Sequence, residues 1–223
     1  MKVFEKIMYP ALLIFLVFAI YASRTNLHYF EVVMASEDGF FQWLTFFTLL
    51  FSACMSFYRA NILKPFRGNP FSLYLIVFGF IFLMFAFDEM SWMQRVFGFN
   101  SPLFFQKYNT HKQFNLHHLV IYGFHINNLI FTFGIKFLAT LYFLVLPFFY
   151  NKVNRVKNFI NRFAIALPRY THTGAYLILS CLVALISSDQ RTVIFEFGFY
   201  WILVLMMYNP LNDEIFSRIS LVR

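Results

Sequence analysis

Charged side chains are scarce in this sequence. Only 13% of its 223 residues are Asp, Glu, Lys or Arg, whereas soluble domains carry about 25%. Uncharged apolar runs take their place, and several approach the roughly 20 residues that a helix needs to cross a bilayer. This composition excludes an ordinary soluble domain and predicts a polytopic integral membrane protein.

Cysteine is also scarce, with Cys54 and Cys181 as the only two. Each lies inside an apolar run, where a lone cysteine behaves as a small hydrophobe. We therefore predict neither a disulfide nor a thiolate metal site. The sequence contains no repeat, low-complexity linker or soluble segment, so we expect residues 1–223 to form a single membrane domain.

The apolar runs predict an all-α bundle, because a backbone in lipid must satisfy its own hydrogen bonds. We expect about six transmembrane helices, near residues 7–22, 40–58, 71–87, 127–150, 171–188 and 193–208. The first run also resembles a signal peptide, with a basic start and small residues at its end. We favour an uncleaved anchor.

The net charge of +8 is interpreted as a topology signal, and no nucleic-acid partner is expected. Twelve of the 18 Lys and Arg residues fall on one side of these spans, five fall on the other, and Lys136 lies within a span. Positive residues collect on the cytoplasmic side of membrane proteins. The pattern therefore predicts a bacterial inner-membrane protein with both termini in the cytoplasm.

Polar residues at the membrane boundary concentrate on the predicted outer side. They form the stretches "SEDGFFQW" at 36–43, "DEMSWMQR" at 88–95 and "NTHKQFNLHH" at 109–118. We expect these three stretches to pack into one cluster at the extracytoplasmic interface. Ser36 is expected to cap the second span, with Glu37 and Asp38 complementing the positive end of that helix.

The third span ends in two carboxylates, Asp88 and Glu89. If the helix continues beyond them, Asp88, Ser91, Trp92 and Arg95 share one face. Carboxylates are unfavourable at a helix C-terminus, where the dipole is already negative. A cation should therefore compensate them, and the candidates are Arg95, a bound metal ion and the lysine of the fourth span.

That lysine, Lys136, lies in the outer third of the bilayer core. Intramembrane charges usually face the bundle interior and find a partner, for which Asp88, Glu89 and Glu196 are the candidates. The alternative is that the Lys136 side chain extends to the outer surface.

Residues 109–126 are expected to form a helix that lies along the outer interface or re-enters the protein. Its polar stripe would comprise His111, Asn115, His118, Tyr122 and His125. Such histidines, with nearby carboxylates, could ligate zinc or another divalent cation, although HExxH and HxxxH spacings are absent. The alternative is hydrogen bonding to lipid head groups or neighbouring loops. His172, on the other side, is expected to be an interfacial residue.

The stretch "FDEMSWMQRVFGFNSPLFFQKYNTHKQFNLHHL" resembles a motif block of a widespread family of uncharacterised bacterial multi-pass membrane proteins. That block has two acids, then SW, QR and FG, and later NLH followed by Asn or His. An earlier "EDG…W" belongs to it, matched here by Glu37, Asp38, Gly39 and Trp43. The resemblance implies an architecture and a set of residues but no reaction. A weaker likeness is to ceramidase-like intramembrane hydrolases, whose late HxxxH is missing here.

These observations define the candidate site residues. The predicted catalytic residues are Asp88, Glu89, His117 and His118. The predicted substrate-binding residues are Glu37, Asp38, Ser91, Trp92, Gln94, Arg95, Asn115 and Lys136. The predicted metal ligands are His111, His118, Asp88 and Glu89, for zinc or another divalent cation.

Three functions fit this pattern. We favour a non-catalytic subunit of an envelope or polysaccharide assembly complex, in which the cluster contacts a membrane-protein partner or a second copy of the chain. The alternative is a membrane-embedded hydrolase or transferase acting on a lipid or lipid-linked substrate, with the carboxylates and histidines in acid–base or metal-ligand roles. A small transporter or channel is the third.

Overall fold

The computed structural model describes residues 2–125 and 134–217, which are predominantly helical. The α-helices, in chain order, are α1 (Val3–Thr25), α2 (Leu27–Tyr29), α3 (Phe40–Arg67), α4 (Asn69–Glu89), α5 (Gln94–Phe97), α6 (Leu103–Tyr108), α7 (Lys136–Thr140), α8 (Leu146–Lys152), α9 (Asn154–Arg162), α10 (Tyr170–Val183) and α11 (Arg191–Tyr208). The described residues also include the π-helical segments Phe30–Met34 and Leu141–Val145 and the 3₁₀ segments Ser91–Met93 and Asp213–Phe216. One short antiparallel pair, β1 (Val120–Ile121) and β2 (Phe124–His125), follows α6.

Within the ranges that the structure describes, four helices are long and apolar enough to cross a membrane: α1, α3, α4 and α11. They correspond to the first, second, third and sixth predicted spans. Their length follows from uninterrupted apolar sequence, since a bilayer core of about 30 Å requires about 20 helical residues. The all-helical character predicted from the sequence is confirmed for these elements.

The fourth and fifth predicted spans are not among those four helices. Residues 127–133 of the predicted span 127–150 lie outside the described part of the chain. Most of its remainder is divided between α7, a π-helical segment and α8. The fifth span is represented by α10, which has 14 residues and ends at Val183. At 1.5 Å per residue this helix is about 21 Å long, short of a full bilayer crossing. The count of six spans therefore stays a prediction.

Helix α11 lies at the centre of the bundle and packs against α1, α3 and α10. Its fully buried residues include Ile194, Phe197 and Ile202. The approach to α10 is close at Gly198, where an added Cβ would lie 2.4 Å from a Leu179 methyl carbon. Only a glycine lets these two helices come so near, so this contact fixes where α10 meets the core.

Side chains of the bundle that pair with acids or cap helix ends lie at its two ends, whereas hydroxyl groups such as Ser52 and Ser56 bond to the backbone within α3. At one end, the Arg24 guanidinium at the end of α1 donates to the backbone of Leu185, and Ser188 donates to Glu31. The Gln42 amide at the start of α3 donates to the backbone carbonyl of Glu89, where α4 ends, at 2.6 Å. This end carries the three polar stretches singled out from the sequence.

The opposite end contains a buried polar group that the sequence interpretation did not anticipate. His172 is fully buried, so its assignment as an interfacial residue was wrong. Its Nε2 lies 3.3 Å from Oε1 of Glu5, which is itself 1% exposed. Asn209 donates to both Glu5 oxygens at 3.0 Å. The three side chains join α1, α10 and the end of α11, and the hydrogen bonds to the Glu5 carboxylate offset the cost of burying it.

Candidate functional site

The chain reverses direction directly after α4. Residues 91–93 have φ values of 47°, 55° and 58°, a left-handed conformation that non-glycine residues rarely adopt. Trp92 is stacked between Phe87 and Phe114, with ring centroids 5.7 and 5.2 Å away, and this packing offsets the backbone strain. The turn ends α4 at Glu89, so the shared face that a continuing helix would have given Asp88, Ser91, Trp92 and Arg95 does not form.

As a result, Asp88 and Arg95 point to different partners and do not form the pair that helical spacing suggested. Asp88 accepts a hydrogen bond from the backbone N–H of Leu116 at 2.9 Å, and its other oxygen lies 3.2 Å from Nδ1 of His117. Arg95 forms ion pairs with Glu37 at 3.0 Å and Asp38 at 2.6 Å. The three polar stretches do contact one another, but through pairings that the sequence did not reveal.

Residues 109–118 form a loop, so the prediction of a helix here was wrong. The buried Asn109 side chain explains the difference, because its carbonyl oxygen accepts from the backbone N–H groups of His111 and Gln113. Its amide donates to Asn115. Asn side chains that satisfy nearby backbone groups offer an alternative to helical hydrogen bonding. A bridge between Asn109 and Leu119 then closes the loop.

Three further candidates hold this loop against the turn after α4. Asn115 donates to the Ser91 hydroxyl at 2.8 Å, and Ser91 donates to Gln113. The Gln94 carbonyl oxygen accepts from the Phe114 backbone and from Ser101. Ser91, Gln94 and Asn115 therefore serve as internal connectors in this structure.

The loop before α3 begins the helix differently from the expectation. Gly39 is the N-cap residue, and Ser36 accepts the Gly39 N–H through its backbone oxygen, so the assignment of Ser36 as the cap was wrong. A Cβ on Gly39 would lie 2.7 Å from that oxygen, so a larger residue does not fit the turn. The turn leaves Glu37 and Asp38 directed toward the loop and Arg95.

Glu37 is the centre of the first cluster, which comprises Glu37, His111 and His118. Nδ1 of His111 and Nε2 of His118 lie 2.6 and 2.9 Å from the same Glu37 oxygen. The hydrogen bond from His118 is the main cause that holds the pKa of Glu37 well below its usual range, and Gln113 and His111 add to it against the opposing effect of burial. Glu37 is thus ionised across the physiological range.

The second cluster comprises Glu89, His117 and Glu196, and it is more deeply enclosed. Burial disfavours the charged imidazole, but the hydrogen bond with Asp88 and the carboxylates of Glu89 and Glu196 outweigh it and raise the pKa of His117 to about 9. Lys136 is a charged neighbour of Glu196, and its Nζ lies 5.2 Å from the Phe195 ring. Of the three predicted partners of Lys136, the nearby acid is therefore Glu196.

Each cluster has the composition of a metal site. Within each, one ligand atom from every residue lies within 4.8 Å of the others. Imidazole nitrogen and carboxylate oxygen are ligands that zinc and similar divalent cations accept. The four residues predicted as metal ligands are divided by the structure: His111 and His118 belong to the first cluster, Glu89 belongs to the second, and Asp88 contacts His117 beside it.

Several residues of the site were absent from the sequence-derived set. Glu196 was considered only as a partner for Lys136, although an acid inside an apolar span was itself a signal. Gln42 and Gln113 were not considered, since neutral amides carry no distinctive pattern before their partners are known. The assignment of roles to the candidate residues stays a prediction.

Fold and site together define a class: a helical protein whose described residues include four helices that could cross a membrane and two carboxylate–histidine clusters at one end of the bundle. Comparison with known proteins gives no match, as no family model, no curated protein and no solved structure corresponds to this chain. The two resemblances drawn from the motif block stay predictions.

Proposed function

We propose that this chain is a bacterial inner-membrane enzyme that depends on a divalent cation and acts on a lipid or lipid-linked substrate at the outer face. The second cluster carries the proposal, because it brings Glu89, His117 and Glu196 within reach of one ion at the end of two apolar helices. Burying two acids and an imidazole costs much desolvation free energy, which a purely structural role would not require. Intramembrane ionisable groups more often mark a functional site.

The ligand set supports a catalytic ion. Three protein ligands leave a coordination position open for water, which is the arrangement of catalytic zinc sites. Asp88 contacts Nδ1 of His117 and would orient the ring so that Nε2 binds the ion, as second-shell carboxylates do. An ion here would lower the pKa of its bound water and supply the nucleophile that the sequence motifs lack.

The position of the site supports a substrate anchored in lipid. The six-span topology with cytoplasmic termini would place both clusters at the extracytoplasmic interface. The chain that follows Arg95 exposes large apolar side chains, including Phe97 at 76%, Leu103 at 82% and Tyr122 at 95%. Such residues suit the boundary between head groups and acyl chains. Lys136 would attract an anionic head group, whereas Arg95 is already engaged by Glu37 and Asp38.

The experiment is to measure zinc in detergent-purified protein, with Glu89→Gln and Glu196→Gln as test variants and Asp189→Asn as the control. Asp189 is an exposed acid outside both clusters. Activity is assayed as the release of head groups from a mixture of inner-membrane lipids, detected by mass spectrometry. We expect both test variants to bind one ion fewer than wild type and to release no head groups. The control should retain both. Retention of all zinc and activity in the test variants would refute the proposal.

A non-catalytic subunit of an envelope or polysaccharide assembly complex is the second candidate. The hydrogen-bonded network through Ser91, Gln94 and Asn115 favours it, because a rigid loop with exposed aromatic residues suits a docking surface. Under this alternative, the wild-type protein would release no head groups either, and Glu89→Gln and Glu196→Gln would not differ from it in that assay. Substitution of exposed Tyr122 and Phe97 would instead release a partner that copurifies with the wild-type protein.

A further inference from the structure

The two carboxylate oxygens of Glu37 have different surroundings. Oε2 is occupied by donors, Arg95 at 3.0 Å and Gln113 at 2.6 Å. Oε1 faces the two ring nitrogens of His111 and His118. One oxygen thus fixes the carboxylate in place, while the other is directed at a pair of potential metal ligands.

The two imidazole rings are stacked, with centroids 3.9 Å apart and planes inclined by 16°. Two positive rings at this separation would repel each other. A single metal ion bound to both nitrogens removes that conflict, since each imidazole then acts as a neutral ligand. The two nitrogens and the carboxylate oxygen lie within 4.8 Å of one another, a spacing that a single ion would bridge after small shifts of the side chains.

We propose that Glu37, His111 and His118 form a second transition-metal site, of the zinc class, whose ion fastens the loop 109–118 to the turn that precedes α3. This site goes beyond the function proposed above and does not depend on it. The ligands come from two segments far apart in sequence, so the ion would cross-link them. Hydrogen bonds alone would do so more weakly.

The surroundings of these ligands support a site built in advance. Arg95 bridges Glu37 and Asp38 and so holds the ligand carboxylate from behind. The backbone N–H of His111 donates to Asn109 at 2.9 Å, which fixes the chain where the ligand projects. Such outer contacts orient metal ligands and typically change affinity by about 10- to 100-fold when removed. Arg95→Gln should therefore weaken zinc binding at this site by about that factor.

The site is open to water, unlike the second cluster. The side chains of His111, His118 and Glu37 are 49%, 28% and 31% exposed, so a water molecule can complete the coordination. The adjacent residue, His117, belongs to the enclosed cluster with Glu89 and Glu196. Neighbouring histidines therefore enter different clusters, and an ion on one would hold the backbone that carries the other.

The test is zinc binding by equilibrium dialysis, on full-length protein in detergent, freed of metal by a chelator and carrying no polyhistidine tag. Four variants are compared with wild type: His111→Ala, His118→Ala, Glu196→Gln and, as the control, His28→Ala. His28 is an exposed histidine outside both clusters. We expect the first two variants to lose one bound ion each and His28→Ala to bind as wild type does.

The pattern separates the two sites. Loss of one ion in His111→Ala and a different one in Glu196→Gln supports both. A single ion that is lost in His111→Ala and His118→Ala but kept in Glu196→Gln supports this site and refutes the enclosed one. Zinc binding that is unchanged in His111→Ala and His118→Ala overturns the present proposal, whatever Glu196→Gln does.

Fastening of the loop has its own readout in trypsin cleavage after Lys112, an exposed residue within the loop. Zinc should slow this cleavage in wild type, because it binds only the fastened loop, and should leave cleavage of His111→Ala unaffected. The Tm and the size-exclusion profile of each variant are measured without zinc. Values equal to those of wild type exclude unfolding as the cause of faster cleavage. Equal cleavage of wild type with and without zinc would refute the fastening role.

Discussion

The contact between Asp88 and His117 should make the stability of the metal-free protein depend on pH. His117 faces the carboxylates of Asp88, Glu89 and Glu196, and its pKa in the folded protein is raised from 6.5 to about 9. A group whose pKa is raised on folding binds its proton more tightly in the folded state. Its stabilising contribution is therefore complete below about pH 6.5 and is lost as the pH rises through about 9.

The size of the effect follows from the same values. A rise from 6.5 to about 9 corresponds to about 3 kcal/mol of linked stability. The side chain is 17% exposed, so screening by solvent is limited. For a chain of this length, a change of that size shifts Tm by about 6 °C or more.

The assay is thermal unfolding of the detergent-solubilised protein with EDTA, at intervals from pH 6 to pH 9.5. His117→Gln removes the titrating group, and His28→Gln is the control. Wild type and the control should lose stability with rising pH more steeply than His117→Gln, by about 3 kcal/mol over the range. If His117→Gln loses stability as steeply as wild type, the raised pKa and the role of Asp88 in it are wrong.

Two further predictions concern packing and the buried polar group at the opposite end. Gly198→Ala should lower the free energy of unfolding by about 1–3 kcal/mol, because its Cβ would overlap a Leu179 methyl carbon. Gly174→Ala, where a Cβ meets nothing within 4 Å, should be neutral or stabilising by up to about 1 kcal/mol, and equal effects of the two in thermal unfolding would contradict this packing. Glu5→Gln should cost about 1.5–3 kcal/mol in the same assay, since a charged acceptor of two Asn209 bonds becomes a neutral amide. A Tm equal to that of wild type would show that the buried carboxylate stabilises nothing.

Much of the fold could be predicted because its cause is local. Uncharged runs such as those of α1, α3 and α4 are apolar enough to form membrane-compatible helices wherever they pack. The grouping of the three polar stretches followed from the same pattern, because helix ends on one side of a bundle meet. By contrast, α10 ends at Val183 although apolar residues continue to Ile186, and composition does not mark that end.

The internal pairings of the site could not be predicted, because helical spacing assumed a helix where the chain turns. Trp92 and Met93 are not turn-forming residues by type. The left-handed conformation of residues 91–93 is accompanied by Trp92 stacking against Phe114 from a distant segment. The loop around Asn109 has a similar origin. Its side chain replaces helical hydrogen bonds only because Asn115 and Leu119 close the loop around it.

The sequence by itself determined that the chain forms apolar helices and that three polar stretches lie at helix ends. Both follow from hydrophobicity and backbone hydrogen bonding, which act residue by residue. Only the tertiary structure decided which acid meets which histidine. It placed Glu37 with His111 and His118, and it enclosed Glu89 with His117 and Glu196. Adjacent histidines entered different clusters because the direction of a side chain in a loop is set by long-range contacts, and no periodicity along the sequence encodes them.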